Sequence, residues 1–325
     1  MYNFTLKDNP ITLADFAFNA IAKQVKKIVK YEQKILTEND PENLHQIRVG
    51  MRKLRSVLSV FSIALIIPSS ITDKKIGNLA RILGQQRDLD ILKINLENKF
   101  NHKSLDQETV IIEKIIHKIS QPNVDSNSKN LETILTSKKY LHLKEDLLFW
   151  LENPQFSLIA LQNIRRILPD LLLPQISNFF LQSAWLIGTF RDYNGQIIIK
   201  ENLSEKDVDL LINLQGESLH KLRKQAKKTR YQLELFTEFY PQEYREYLEF
   251  IVQVQEILGE IQDNICLQDH LTEVMGNKWL KKLNNLHQLI LKDKLDKWQQ
   301  WQQLQIKFFS GDFCHNLREI VNNGL

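Results

Sequence analysis

The sequence has few cysteines and no long apolar run, and these two absences exclude several classes of protein. Cys266 and Cys314 are its only cysteines and stand in unrelated contexts, so they build neither a disulfide framework nor a zinc site. No stretch approaches the roughly 18 apolar residues that cross a membrane. The first 20 residues lack the charged-then-apolar order of a signal peptide. We therefore expect a cytoplasmic protein with no membrane partner.

Glycine and proline are also scarce, with 10 and 8 residues in a chain of 325. Leucine, isoleucine, lysine, glutamate and glutamine are plentiful, and this composition favours an all-α fold. The formal net charge is only +4, so any basic surface is local. A weakly basic chain argues against indiscriminate binding to nucleic acid, which is typical of strongly basic domains.

The sequence contains an internal repeat. Residues 44–55 (LHQIRVGMRKLR) align with residues 219–230 (LHKLRKQAKKTR) at an offset of 175, without a gap. The match extends to Phe61 and Phe236, and it resumes at the same offset around Gly84 and Gly259. Such a match indicates two copies of one structural unit. We predict two tandem antiparallel helical bundles, residues 1–153 and 154–325.

The pattern of each copy predicts an amphipathic helix with a row of basic residues beside its apolar face. In the first copy the apolar positions recur every three or four residues. They are Leu44, Ile47, Met51, Leu54, Leu58 and Phe61. The first row of basic residues is His45, Arg48, Arg52 and Arg55. The second row, at equivalent positions, is His220, Arg223, Lys227 and Arg230.

The rows lack nearby acidic residues in the sequence. Residues 43–60 contain four Lys/Arg and residues 218–233 contain six, and neither window contains Asp or Glu. Like charges three or four residues apart on a helix cost roughly 0.2–0.5 kcal/mol per pair. A solvated or internally salt-bridged face is one interpretation. Because the pattern recurs in both copies, an anion bound from outside is the simpler one.

The sequence pattern predicts further helices before and after the repeated stretches. We predict them over residues 12–36, 72–99, 105–119, 131–151 and 244–273, with Pro169 and Pro174 interrupting a helical region and Ser204 capping a short helix before the second row. Asp40 and Pro41 mark the start of the first-row helix, so His45 lies near a helix N-terminus, which favours an anion. The tryptophans at 279, 298 and 301 are expected in the core rather than as a base-stacking platform.

Two further pairs of residues match between the copies. Gly84 and Gly259 sit within helical patterns, where glycine costs about 1 kcal/mol relative to alanine, and a close helix–helix approach would explain them. Asp88 and Asp263 are expected to orient an arginine of the preceding helix rather than to act in catalysis.

The doubled motif resembles the CHAD family, the conserved histidine α-helical domain. The resemblance rests on His45-x-x-Arg48-x-x-x-Arg52-Lys53-Leu54-Arg55, on Leu83-Gly84-x-x-Arg87-Asp88-Leu89-Asp90 and on their second copies, and it covers almost the whole chain. Gln262 departs from it by replacing the arginine that Arg87 provides in the first copy, and Thr229 takes a usually apolar place. The resemblance implies two bundles related by pseudo-two-fold symmetry around a basic channel.

The resemblance also implies that the chain binds inorganic polyphosphate without catalysis, with no cofactor and with a location in the cytoplasm or at polyphosphate granules. Phosphate or sulfate can substitute for polyphosphate in a crystal. The predicted binding residues are His45, Arg48, Arg52, Lys53, Arg55, His220, Arg223, Lys224, Lys227 and Arg230, with Lys27, Lys30, Arg81 and Arg87 as secondary contacts. The histidines are expected to bind more tightly when protonated, since their ordinary pKa is about 6.5.

Four alternatives stay open at this point. A phospho-acceptor role of the histidines in signalling is disfavoured because the sequence lacks a nucleotide-binding loop and catalytic acids. An RNA- or DNA-binding helical protein would share the electrostatics, but single-strand binders interleave aromatic residues with the basic groove. Metal binding by the histidines is disfavoured because no ligand-type residue stands at suitable spacing near them. A structural scaffold is expected if charge reversal at Arg52 and Lys227 leaves anion binding unchanged.

Overall fold

The computed structural model describes residues 12–38, 40–100, 106–120 and 131–324. The side chains of residues 85–93, which include Arg87 and Asp88, lie outside its described part. The roles predicted for those two residues therefore stay predictions.

The described chain is predominantly helical, as the composition predicts. The α-helices are α1 (Leu13–Thr37), α2 (Pro41–Val60), α3 (Asp73–Phe100), α4 (Asp106–Ser120), α5 (Leu131–Leu135), α6 (Lys138–Glu152), α7 (Ile164–Phe180), α8 (Glu205–Leu233), α9 (Gln242–Met275), α10 (Trp279–Lys282), α11 (Asn284–Phe309) and α12 (Phe313–Asn323). Short 3₁₀ turns occupy Leu158–Leu161, Ser183–Leu186, Glu234–Phe239 and Gly276–Lys278.

Two small antiparallel ribbons, which the sequence pattern did not predict, accompany the helices. The strands β1 (Leu65–Ile66) and β2 (Gln155–Phe156) form one of them, in the register Leu65↔Phe156. The strands β3 (Thr189–Arg191) and β4 (Ile197–Ile199) form the other, a hairpin whose turn contains Gly195, with a φ of +79°. A positive φ suits glycine because it has no β-carbon.

The chain divides into two compact units. The first unit comprises residues 1–88 and 123–172, and the second comprises residues 89–122 and 173–325. Helix α3 therefore begins in the first unit and ends in the second. The boundary between the two sequence repeats, at 153/154, stays a prediction. The pseudo-two-fold symmetry and the basic channel also stay predictions.

In the first unit, α1 and α2 pack together along their apolar faces. Helix α2 starts at Pro41, and the side chain of Asp40 accepts a hydrogen bond from the backbone nitrogen of Glu42 at 2.8 Å, which confirms the predicted cap. Ile47 and Leu54 of α2 are buried. Burial of this face fixes the rotation of α2 and leaves the first row on its flank.

In the second unit, α8, α9 and α11 pack around a core that contains the tryptophans. Trp298 and Trp301 are fully buried and Trp279 is 2% exposed, which confirms their predicted place in the core. A cluster joins the end of α3 and α4 to α9, α10 and α11. It consists of Leu96, Ile112, Ile115, Leu267, Leu271, Trp279, Leu283, Leu286 and Ile290.

A carboxylate of α4 caps the start of α11. Glu108 is almost fully buried, and its oxygens accept hydrogen bonds from the backbone nitrogens of Asn285 at 2.9 Å and Leu286 at 3.3 Å. The residue before α11, Leu283, provides no side-chain cap. Glu108 thus satisfies amide groups that a helix N-terminus otherwise leaves without partners.

Three predictions about where helices begin, end or are interrupted differ from the structure. Ser204 does cap a helix, with Asp207 completing a capping box, but α8 then runs without interruption through the second row. Helix α7 continues through Pro169 and Pro174, because its buried apolar face outweighs the cost of interior prolines. The predicted helix 131–151 is instead divided at Ser137, which caps α6.

Candidate functional site

The first row lies on α2, with every member partly exposed. His45 is in the second turn of the helix, and Arg48, Arg52 and Arg55 follow along the same flank. The guanidinium of Arg48 lies across α3 at Gly84, where an added β-carbon would be 3.0 Å from Nη2 and 3.4 Å from Cζ. A side chain larger than glycine at position 84 would therefore press on the guanidinium.

The second row lies on α8 and repeats this contact. The guanidinium of Arg223 lies across α9 at Gly259, where an added β-carbon would be 3.3 Å from Nε and 3.4 Å from Nη2. Gly84 and Gly259 are equivalent in the repeat, and so are Arg48 and Arg223. The matched glycines thus make room for matched arginines, rather than only for close contact between helix backbones as expected.

The two histidines lie at different distances from the N-termini of their helices. His45 lies close to the start of α2, whereas His220 lies deep within α8, which begins at Glu205. The helix dipole acts mainly on the first and last turns. A contribution from a helix N-terminus therefore applies to the first row alone.

The last arginine of each row is already bound to a carboxylate. Arg55 makes a two-pronged bond to Asp73, with Nε 2.7 Å from Oδ1 and Nη2 2.8 Å from Oδ2. The bond to Asp73 is the main cause that raises the pKa of Arg55. In the second row, Nε of Arg230 donates to Oε1 of Glu234 at 2.6 Å. The expectation that the rows lack counter-charges is therefore wrong at these two positions.

Burial and neighbouring cations depress the pKa of bases in both units. Burial lowers the pKa of His220, and Lys224 and Arg223 lower it further, while a hydrogen bond with Gln262 opposes the change. In the first unit, burial lowers the pKa of Lys27, and the charge of Lys53 adds to this effect while Glu42 opposes it. Burial is thus the main cause in both units, and a neighbouring cation adds to it in each.

Two nitrogen atoms of the second row are buried without a hydrogen bond. They are Nδ1 of His220 and Nε of Arg223, and neither has a partner in the described part of the structure. A buried polar atom without a hydrogen-bond partner costs roughly 1–3 kcal/mol. An oxyanion from solution that reached these atoms would remove that cost.

A family profile matches most of the sequence. The family profile of the CHAD domain matches residues 19–272, which is most of the chain. The chain belongs to the CHAD family. This confirms the family that the doubled motif indicates.

Solved structures show the same fold as this CHAD chain. The crystal structure of the CHAD domain from the plant Ricinus communis is 18% identical, with a TM-score of 0.56, over 99% of this chain and 96% of that one. PptA from Streptomyces chartreusis is 12% identical, with a TM-score of 0.55, over 92% of this chain and 100% of that one. No curated protein matches the sequence.

The other predicted binding residues of the CHAD chain lie on several helices and differ in exposure. Lys53 is beside Lys27 on the first unit, as its effect on the pKa of Lys27 shows. Lys224 is exposed on α8. Lys30 and Arg81 are exposed on α1 and α3, and Nζ of Lys30 lies 5.8 Å from the ring centroid of Tyr31.

Several residues of this CHAD site were not assigned from the sequence. Glu234 stands four residues after Arg230 on the helical pattern, one residue beyond the end of the acid-free stretch 218–233. Asp73 is 18 residues from Arg55, and no local spacing connects them. Gln262 departs from the motif, and in the structure its side chain forms a hydrogen bond with His220.

The described residues of the CHAD chain also bear on metal binding and on membrane crossing. Among the described residues, no group of three His, Cys, Asp or Glu could hold a metal ion. In the same part of the chain, no helix is both long and apolar enough to cross a membrane.

Proposed function

We propose that the chain binds inorganic polyphosphate, without catalysis, through the two rows of basic residues. The observation that carries this proposal is the arginine held across a glycine in both units, Arg48 at Gly84 and Arg223 at Gly259. A guanidinium held against a neighbouring helix has lost much of its rotamer freedom before a ligand arrives. It can then make two parallel charge-assisted hydrogen bonds to one phosphate.

The electrostatics of the rows support the same ligand. Polyphosphate offers closely spaced negative charges and many acceptor oxygens, and it has no bases that need stacking. Burial is the main cause that lowers the pKa of His220 and of Lys27, and the cations Lys224, Arg223 and Lys53 lie close enough to lower these pKa values further. The buried tryptophans 279, 298 and 301 provide no stacking platform, so they do not favour RNA or DNA as the ligand.

A titration with polyphosphate at two salt concentrations tests the proposal. We expect affinity to fall steeply between about 50 and 200 mM salt, because each cation–phosphate contact releases counterions. Unlabelled RNA of equal total charge serves as the competitor against labelled polyphosphate. Absence of binding at low salt, or preferential displacement by RNA, would contradict the proposal.

Substitution of Gly84 or Gly259 by alanine should weaken polyphosphate binding without lowering the stability of the fold. Gly84→Ala and Gly259→Ala each gain about 0.5–1 kcal/mol of helix propensity, but they displace the guanidinium that lies within 3.4 Å of the new methyl group. We expect roughly threefold to tenfold weaker polyphosphate binding, equivalent to about 0.7–1.4 kcal/mol, with unchanged or higher stability to urea.

Gly216→Ala is the matched control for these variants. Gly216 likewise lies within a helix, α8, and an added β-carbon there would meet only Cδ1 of Ile265, at an ordinary 3.5 Å. This variant should become more stable and bind as the wild type does. If all three variants bind equally well, the glycines do not position the arginines for a ligand.

The pH dependence of binding should depend on His220. Because its folded pKa lies below the unfolded value near 6.5, the neutral ring contributes stability above that pH, and this stability is lost as the pH falls. A bound phosphate raises the pKa of the ring, so binding takes up a proton. Affinity should therefore rise from pH 8 to pH 6 and continue to rise below pH 6.

The measurement is the polyphosphate affinity at pH 8, 6 and 5 for the wild type and for His220→Gln. The variant should show a weaker pH dependence, since glutamine does not titrate. Equal affinity of the wild type at all three pH values would exclude a titrating role for His220.

A further inference from the structure

Gln262 of α9 stands where the first copy of the motif carries an arginine, Arg87. Its side chain forms a hydrogen bond with His220, the first residue of the second row. The amide nitrogen of Gln262 donates to Sγ of Cys266, one turn further along α9, at 3.5 Å. Because the nitrogen is directed at the thiol, the amide oxygen is the atom that is left for His220.

The charge state that the hydrogen bond favours agrees with this orientation of the amide. Burial lowers the pKa of His220, and the cations Lys224 and Arg223 of α8 lower it further, whereas the hydrogen bond with Gln262 raises it. An acceptor stabilises the charged imidazolium, and a donor would stabilise the neutral ring instead. Gln262 therefore accepts a hydrogen bond from the ring.

The two ring nitrogens of His220 have different surroundings. Nδ1 is buried and has no hydrogen-bond partner among the described residues. The bond to Gln262 therefore involves Nε2. A neutral imidazole carries a single proton, so an Nε2 that donates leaves a lone pair on Nδ1. The second proton of the ring is then bound at Nδ1.

We propose that Gln262 is a positioning residue of the second row, which fixes the tautomer of His220 so that the proton taken up with the ligand is bound at Nδ1. This inference rests on the polyphosphate binding proposed above. The lone pair of Nδ1 repels a phosphate oxygen, whereas the imidazolium offers an N–H in its place. An arginine at position 262 would carry donors only and could not accept from the ring. The departure from the motif thus exchanges a cation for an acceptor.

The tautomer of His220 in the ligand-free chain at pH 8 tests this inference. NMR of the full chain, labelled with ¹⁵N-histidine, distinguishes the two ring nitrogens by their chemical shifts. His220→Gln identifies the signals of this ring among those of 8 histidines. We expect the Nε2–H tautomer in the wild type. Gln262→Met keeps the length of the side chain without the amide oxygen and should show both tautomers, whereas Gln262→Glu keeps an acceptor and should restore the Nε2–H form.

The polyphosphate affinity at pH 8, 6 and 5 measures the consequence for binding. We expect Gln262→Met to bind about twofold to tenfold more weakly than the wild type at pH 5, because the ring is no longer held towards the ligand. Its rise in affinity from pH 8 to pH 6 should also be smaller, since loss of the hydrogen bond lowers the pKa of His220 further.

Gln255→Met is the matched control for Gln262→Met. Gln255 lies on the same helix, two turns before Gln262, and its Oε1 is buried without a hydrogen-bond partner in the described part of the chain. The control makes the same substitution without removing an acceptor from His220. It should leave both the tautomer of His220 and the polyphosphate affinity unchanged.

The outcomes distinguish this inference from the proposed function. A wild type with the Nδ1–H tautomer would overturn the inference alone, and this measurement suffices if a variant does not fold. The inference also fails if Gln262→Met keeps the wild-type tautomer, or if Gln255→Met changes it equally. A wild type that shows the expected tautomer but binds no polyphosphate would overturn the proposed function, and with it the role of Nδ1 in binding.

Discussion

A chain that begins at residue 154 is expected not to fold, although it contains the complete second repeat of the sequence. The second compact unit includes residues 89–122, which come from the first repeat. Leu96, Ile112 and Ile115 of this segment are nearly or fully buried against α9 and α11. Their burial contributes on the order of 5–9 kcal/mol, at about 1.5–3 kcal/mol for each side chain. That loss is comparable with the whole stability of an ordinary domain, about 5–15 kcal/mol.

Loss of the cap at α11 adds to this effect. Without Glu108, the backbone nitrogens of Asn285 and Leu286 lose their acceptor. Circular dichroism and thermal unfolding measure the outcome: residues 154–325 should show no cooperative transition. Glu108→Gln in the full chain is the control, and it should remain folded with a stability lower by about 1–2 kcal/mol. A cooperative, near-native transition of residues 154–325 would contradict the expectation.

The segment 89–122 shows what sequence reasoning could not supply. The apolar pattern of α3 and α4 predicts amphipathic helices, and both helices are present. The period of such a pattern states which face is buried, but not which helix covers it. The assignment of this segment to the second unit depends on contacts such as Glu108 with Asn285, which are 177 residues apart. No local signal encodes a pairing at that distance.

The basic residues of the two rows are easier to predict from the sequence than the carboxylates that bind them. Helical spacing alone places Arg48, Arg52 and Arg55 on one flank of α2, and the Asp40 cap fixes where that helix starts. Spacing also relates Arg230 to Glu234, because both belong to consecutive turns. The bond between Arg55 and Asp73 joins two helices, and its formation depends on how α2 and α3 pack. Local pattern therefore predicts the cations of a row, whereas tertiary packing decides which of them are neutralised.

Reversal of one charge in each row is expected to reduce polyphosphate binding by at least about a hundredfold. The variant is Arg52→Glu combined with Lys227→Glu, which changes the third position of both rows. A hydrogen bond to a charged group contributes roughly 1.5–3 kcal/mol, and each glutamate also repels the ligand. Because about 1.4 kcal/mol corresponds to a tenfold change, two lost contacts suffice for a hundredfold loss.

Lys23→Glu combined with Lys281→Glu is the matched control for the charge reversal. Lys23 and Lys281 are exposed, lie outside both rows and belong one to each unit. Both double variants bring the formal net charge from +4 to zero, so general electrostatic attraction to the ligand falls equally. The control should retain most of the affinity at about 150 mM salt, where the Debye length is near 8 Å. Thermal unfolding confirms that each variant is folded. If the two double variants lose affinity equally, binding follows net charge rather than the rows, and the site proposed for α2 and α8 is wrong.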